Sequence, residues 1–297
     1  MKQKKRFLRP VLMSAVGNAE TAAAVSHLET SSGGRYPYEE KEIWCENDGQ
    51  KIYGKAYIPN TNKGKMPLVI FSHELCATHA SGDRYAKELA SRGIAVYTFD
   101  YRGGSAGSKS DGKTTDMSVL TEVSDLEKVL AAAKQWGFVD AGKIVLLGGS
   151  QGGLVASLAA ARHADELKGM ILLYAAFVIH DELHKHFQSL SEVPQEFLYN
   201  GWIRVSRRYA MDAWNLDAYG PMKKFSHPVL LLHGDEDKDV PLYYSLEAQK
   251  SYPNAQLHII NGTGHMFPEQ KSFAEARDEI IAYLQQIHIM PKLKPEA

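Results

Sequence analysis

The sequence predicts an α/β fold: a mostly parallel central sheet with helices on both faces and a small inserted cap. Three observations carry that expectation. Short unbroken apolar runs recur along the chain, among them Leu68-Val69-Ile70-Phe71, Ile144-Val145-Leu146-Leu147 and Val229-Leu230-Leu231-Leu232. A strand covered on both faces has no polar side, so it reads as a continuous apolar run. Segments of helical periodicity separate these runs, as crossover connections between parallel strands require. The alternation breaks once, over 178–226, between two strand runs.

Taken in order, residues 1–36 lack periodicity and end in Thr30-Ser31-Ser32-Gly33-Gly34, which reads as a flexible leader. Strand-like runs near 39–46 and 50–58 are joined by Asn47-Asp48-Gly49, a hairpin turn signal. The run at 68–71 is followed by a helix over 83–92 that Gly93 closes, then by the strand Ile94 to Phe99. Residues 117–136 form a long amphipathic helix with Met117, Leu120, Val123, Leu126, Val129 and Leu130 on one face. A strand at 144–147, a helix at 151–163 and a strand at 170–173 precede the irregular interval. That interval is rich in aromatic and charged residues and is expected to cap the carboxyl edge of the sheet. Beyond it come a strand at 229–232, a helix at 241–251, a strand at 256–260 and a closing helix at 270–287. The domain is thus expected to span 37–290, with a tail at 291–297.

A chain of 297 residues with 44% apolar and 23% charged residues can bury a substantial core and dissolve. A formal net charge of −1 supplies no field to gather nucleic acid or anionic lipid. The two cysteines, Cys45 and Cys76, form neither a disulfide framework nor a metal spacing, so a reducing compartment is the default. Lys2, Lys4, Lys5, Arg6 and Arg9 ahead of Val11 to Val16 imitate a secretory signal. Pro10 opens that apolar run and Gly17, Asn18 and Glu20 end it early. The expectation is a cytoplasmic protein with a basic tail, with export through a weak signal as the other reading. No segment is apolar for long enough to span a bilayer.

The chemistry lies in three separated segments. Gly148-Gly149-Ser150-Gln151-Gly152 is a G-x-S-x-G placed between a strand and a helix. In that context it is the signature of a nucleophile elbow, a turn that lifts a serine hydroxyl above the sheet at a helix N-terminus. A serine is a poor nucleophile unless a base takes its proton, and the base needs an acid to hold its tautomer. Gly262-Thr263-Gly264-His265 follows one strand and His233-Gly234-Asp235-Glu236-Asp237-Lys238-Asp239 follows another, so both lie at the serine's edge of the sheet. His265, in a glycine-flanked loop, is the best base; His233 and His258 suit packing or hydrogen-bonding roles. Asp235, Asp237 and Asp239 all compete as the acid. The oxyanion hole calls for backbone N–H groups, one from Gln151 and one from the loop Ser72-His73-Glu74-Leu75-Cys76.

With these residues in view, the chain resembles the bacterial cinnamoyl and feruloyl esterases of the α/β-hydrolase superfamily. The matching text includes Phe71 to Leu75, Phe99-Asp100-Tyr101-Arg102-Gly103-Gly104-Ser105, Met117 to Glu122, Gly149 to Gly153, His233 to Val240 and Gly264-His265. It runs in order over roughly 39–288. The resemblance implies the α/β-hydrolase fold and a serine esterase acting on small carboxylic esters, of hydroxycinnamoyl type among others. It selects Asp237 as the acid and Leu75 as the second oxyanion donor. It also implies that a cap acid, Asp181 or Glu182, and the cap tyrosine Tyr209 hold a phenolic hydroxyl. The family has glycine where this chain has Glu74, and a carboxylate facing the hole would oppose the oxyanion. Glu74 is therefore expected to point away and be paired.

Other readings are weaker. His180-Asp181-Glu182-Leu183-His184 suggests a metal site, but the zinc-protease arrangement needs glutamate directly after the first histidine. Gly103-Gly104-Ser105-Ala106-Gly107 fits neither dinucleotide nor P-loop spacing. A non-catalytic binding protein on this fold conflicts with an intact serine, acid and histidine. A serine peptidase or other acyl hydrolase shares the triad, and the lack of a propeller or peptide-docking domain favours small esters. No cofactor or metal is expected. The expected partner is a small-molecule ester, with neither nucleic acid nor membrane, and pairing into a homodimer is left open.

Overall fold

The structure, a computed structural model, describes residues 35–61 and 64–290. Nearly all of the leader expected at 1–36, and the tail at 291–297, lie outside the described residues.

β1 (Tyr38–Asn47) and β2 (Gln50–Pro59) form an antiparallel hairpin. Its turn puts Asp48 and Gly49 at φ 51° and 74°, the left-handed pair that matches strand twist. β3 (Met66–Ser72), α1 (Asp83–Ala90), β4 (Ala95–Phe99) and α2 (Val119–Ala133) follow. Next come β5 (Val139–Gly149), α3 (Gln151–Ala160) and β6 (Gly169–Leu173). The interval at 178–226 then contributes α4 (Ile179–His186), β7 (Glu196–Tyr199), β8 (Ile203–Ser206) and α5 (Arg207–Ala213). β9 (Val229–Gly234), α6 (Tyr243–Ser251), β10 (Ala255–Ile260) and α7 (Gln270–Gln286) complete the order.

Eight strands make one sheet in the order β1-β2-β4-β3-β5-β6-β9-β10, while β7 and β8 pair separately as an antiparallel ribbon. From β4 to β10 every neighbouring pair is parallel; β2 runs antiparallel to both β1 and β4. Period-2 alternation divides the strand side chains between two cores. Leu68, Ile70, Ile144, Leu146, Met170, Leu172, Val229 and Leu231 pack with α2, α3 and α6. Val69, Phe71, Val145, Leu147, Ile171, Leu173, Leu230 and Leu232 pack with α1 and α7. Each such side chain contributes about 1.5–3 kcal/mol of burial. This is the mostly parallel α/β sheet with helices on both faces that the sequence predicts.

Element ends shift for local reasons. α2 begins at Val119 because Ser118 is its N-cap: the Ser118 hydroxyl accepts from the Thr121 N–H, and Thr121 reciprocates. Leu120 is only half-buried, whereas Glu122 and Asp125 are buried on the helix's inner face. Among the described residues, no helix is long and apolar enough to cross a membrane.

Candidate active site

Parallel strands deliver their following loops to one edge, and the candidate side chains sit there. Ser150 stands between β5 and α3 with φ 50° and ψ −121°. A non-glycine residue held there stores about 1–3 kcal/mol of backbone strain, which the surroundings must over-determine. Its N–H donates to the Leu173 carbonyl (2.9 Å) and its own carbonyl accepts from Ala176 (2.9 Å), tying the elbow to the end of β6. The glycines around it permit this closeness. A Cβ at Gly152 would collide with the Ser72 and His73 carbonyls, and one at Gly148 with the backbone of Gly152.

His265 follows β10, and its Nε2 lies 3.0 Å from Ser150 Oγ. On the other side of the ring, Nδ1 lies 2.7 Å from Asp237 Oδ2. A carboxylate can only accept, so Nδ1 carries the proton and Nε2 is free to receive the serine's. The loop that presents His265 is held by Arg84, which donates to the Met266 carbonyl at 2.8 Å. Met266 and Phe267 both have positive φ there (69° and 49°).

The three competing acids separate by burial. Asp235 and Asp239 are exposed, and Asp235 accepts from the Gly262 N–H (2.7 Å), joining the two loops. Asp237 is buried and turned to His265. Its Oδ1 accepts the N–H groups of Asp239 and Val240 at 2.9 Å each. Burial by itself would raise the Asp237 carboxyl. Hydrogen bonding to His233 and His265, and the Val240 N–H, instead hold it well below the usual carboxylate range. His233 is fully buried: Nε2 donates to the Val240 carbonyl (2.8 Å) and Nδ1 accepts from Ser245 (2.7 Å), which braces the acid's loop. His258 sits away from this point, against Glu275 on α7.

Gln151 opens α3, so its N–H has no carbonyl a turn earlier and is available to an incoming oxygen. The loop after β3 is pinned by His73. Its Nε2 accepts from the Tyr101 N–H (3.3 Å), which leaves Nδ1–H to donate to the Glu74 carbonyl (2.7 Å). Leu75 lies in this loop and Cys76 beside it has φ 58°. Glu74 does not turn to solvent; it is 6% exposed. Oε1 accepts from the Tyr174 hydroxyl (3.0 Å) and fills the space a Cβ at Gly149 would need, while Oε2 is buried without a hydrogen-bond partner. Glycine at 149 and glutamate at 74 are thus one steric arrangement.

In the cap, Asp181 and Glu182 diverge. Asp181 is exposed and accepts from Tyr244 on α6 (2.7 Å). Glu182 turns inward, where Tyr199 donates to it at 2.5 Å. The Tyr199 ring lies 4.8 Å from that of Tyr209, and the buried Tyr209 hydroxyl donates to Gln151 Oε1 at 2.7 Å. Glu182, Tyr199 and Tyr209 therefore form a path from α4 to the residue beside Ser150; Asp181 stands outside it. Tyr174 was not singled out from the sequence, and Tyr199 was only one of several cap aromatics expected around the acyl site. Tyr174 does follow the strand run at 170–173, the same position that identifies the other loops.

Among the described residues, Asp237, Asp239 and His265 are the one group of three side chains whose ligand atoms could share a metal ion. Two of the three are already bonded to each other. In α4, the rings of His180 and His184 lie 4.4 Å apart, but His184 Nε2 is engaged with the Trp214 carbonyl (3.0 Å).

The fold and this edge define a hydrolase of the α/β-hydrolase fold. Residues 81–288 match the prolyl oligopeptidase family (Peptidase_S9), and the chain belongs to that family. It is similar to the structure of Est1E from Butyrivibrio proteoclasticus with ferulic acid bound: 28% identity, a TM-score of 0.73, and coverage of 81% of this chain and 98% of that one. A 2-hydroxy-6-oxononadienedioate/2-hydroxy-6-oxononatrienedioate hydrolase of Dechloromonas aromatica is 24% identical over 220 residues, 63% of this chain and 75% of that protein. The hydrolase YugF of Bacillus subtilis is 36% identical over 50 residues, 17% of this chain and 18% of that protein. DcsB in complex with a substrate analogue, at 19% identity and a TM-score of 0.69, shares the fold.

Proposed function

We propose that this protein is a serine esterase, with Ser150 as nucleophile, His265 as base and Asp237 as the acid that orients it. The carrying observation is the unbroken line from Ser150 Oγ to His265 Nε2 (3.0 Å) and from Nδ1 to Asp237 Oδ2 (2.7 Å). Ser150 Oγ bonds to the ester carbonyl carbon as His265 takes its proton. The tetrahedral oxyanion is received by the N–H groups of Gln151 and Leu75. Collapse breaks the carbon–alkoxy bond, and His265 delivers its proton to the leaving alcohol. Water then attacks the acyl-enzyme with the same base, releasing the acid and restoring Ser150. Every step is a proton or acyl transfer, so the reading calls for no cofactor.

The acyl half we propose is a hydroxycinnamoyl-type aromatic acid. Half-buried Glu182 with buried Tyr199 offers an acceptor and a donor for a phenol, and Tyr209 supplies a wall that reaches Gln151. The likeness to Est1E, whose structure holds ferulic acid, supports the same reading. Family membership favours a second reading, cleavage of peptide bonds by the same triad.

The test compares kcat/KM for methyl ferulate, methyl cinnamate, an acetate ester and a peptide amide. Wild type should favour the hydroxylated ester, and Tyr199→Phe should narrow its advantage over cinnamate, since a site built for a hydroxyl is left unpaired without it. Equal or faster turnover of acetate would end the substrate claim, and faster turnover of the amide would favour the peptidase. Ser150→Ala should abolish turnover of all four, by a factor on the order of 10⁶.

A further inference from the structure

Gln151 presents two groups that separate in space. Its backbone N–H, at the start of α3, is the proposed oxyanion donor, whereas its side chain points into the protein and is held at both ends. Nε2 donates to Glu122 Oε2 at 2.8 Å, and Oε1 accepts from the Tyr209 hydroxyl at 2.7 Å. Glu122 comes from α2 and Tyr209 from α5 of the cap, so two elements meet on one amide. Glu122 and Gln151 are 1% exposed and Tyr209 is 0% exposed.

A carboxyl group in this place is expensive to keep. Arg102, the cation of this region, is committed to Asp125 through a 2.6 Å bond rather than to Glu122. An apolar residue could fill the position without the desolvation cost of an acid. What an apolar residue could not do is hold the amide of Gln151 against the pull of Tyr209 alone. We infer that Glu122 is a positioning residue for the oxyanion hole, clamping the Gln151 side chain together with Tyr209 and so fixing the N–H that receives the oxyanion.

This inference rests on the esterase reading and deepens it. It also predicts a signature that a purely structural role would not produce. Burial pushes the Glu122 carboxyl up to about 8, the Gln151 hydrogen bond partly offsetting it and the charge of Asp125 adding to it. The other titratable groups that face Glu122 are Cys76 after β3, Tyr101 after β4 and Tyr209 on α5, with burial raising each of them. At neutral pH the clamp is therefore uncharged. On the alkaline side, ionisation places a negative charge on the residue that grips the oxyanion donor, and that charge opposes the oxyanion.

The experiment measures kcat and KM across the acid and alkaline limbs with an acetate ester of a good leaving group, for wild type, Glu122→Gln and Glu122→Ala. Glutamine keeps a carbonyl for Gln151 Nε2 and cannot ionise. Wild type should lose kcat on the alkaline side with a midpoint near 8, and Glu122→Gln should hold its plateau there while keeping the wild-type acid limb. Glu122→Ala should lower kcat at neutral pH by about tenfold to a hundredfold with little change in KM. An alkaline limb unchanged in Glu122→Gln would overturn the inference, as would full kcat in Glu122→Ala. If the alanine variant fails to fold, the glutamine pH profile decides alone. Ser150→Ala, run alongside, separates the two failures: activity retained there would sink the esterase reading itself.

Discussion

Tyr174 packs its ring against the imidazole of His265, with centroids 4.7 Å apart and planes inclined at 59°, while its hydroxyl donates to Glu74. The proposed base and the loop of the proposed oxyanion hole are joined through one aromatic side chain. Phe267 closes the other side of that ring at 4.9 Å. Tyr174→Phe keeps the ring and removes the hydroxyl, leaving the buried Glu74 carboxyl without its partner. The expected cost is about 1–3 kcal/mol, read as a lower midpoint in urea, with fluorophosphonate labelling of Ser150 retained. An unchanged midpoint would mean that Glu74 finds another partner at no cost.

Asp237, the proposed acid, makes a second prediction. Asp237 lies below the usual carboxylate range in the folded protein, so it stays ionised wherever the enzyme works. Asp237→Asn should leave the fold intact and reduce kcat by about 10⁴-fold, because an amide can hold the imidazole in the wrong tautomer. Comparable loss from Asp235→Asn or Asp239→Asn would reassign the acid.

Stability supplies a third. Glu122 is protonated in both folded and unfolded chains at low pH. As pH rises past its ordinary carboxylate range, the unfolded chain ionises while the folded one holds its proton up to about 8. The unfolded state then binds fewer protons, so the group's contribution to stability falls with rising pH. Glu122→Gln should unfold at the wild-type temperature in acid and at a higher temperature in alkali, measured by calorimetry. Parallel curves for the two proteins at all pH values would contradict the assignment of Glu122 as a buried neutral acid.

Much of this architecture is legible along the chain. Unbroken apolar runs between helical segments suit strands covered twice, and β3, β5, β6 and β9 each contain one, whereas Gln256 and His258 interrupt the run in β10. The Asp48-Gly49 turn and the elbow glycines are legible for a related reason: left-handed backbone and close carbonyls leave few residue types that fit. The loops after β5, β9 and β10 could then be assigned to one edge, and the structure brings Ser150, Asp237 and His265 from them into one hydrogen-bonded line.

What the chain alone leaves open depends on partners distant in sequence. Helical periodicity marks the inner face of α2 but does not reveal that Glu122 and Asp125 are buried on it. Their partners, Gln151 and Arg102, lie 29 and 23 residues away. Asp181 and Glu182 are adjacent in sequence and equivalent to any pattern. On a helix, adjacent side chains diverge by about 100°, so one meets Tyr244 and the other Tyr199. The same holds for Glu74. The sequence calls for a partner for its carboxylate without naming one; Gly149 leaves the space and Tyr174 supplies the donor, 100 residues away. Local backbone chemistry and apolar patterning are written residue by residue, and so determined the sheet, the elbow and the order of the reactive segments. Which polar side chains are buried, and against what, is settled only when distant segments meet, because the cost of burying a polar group depends on the partner found there.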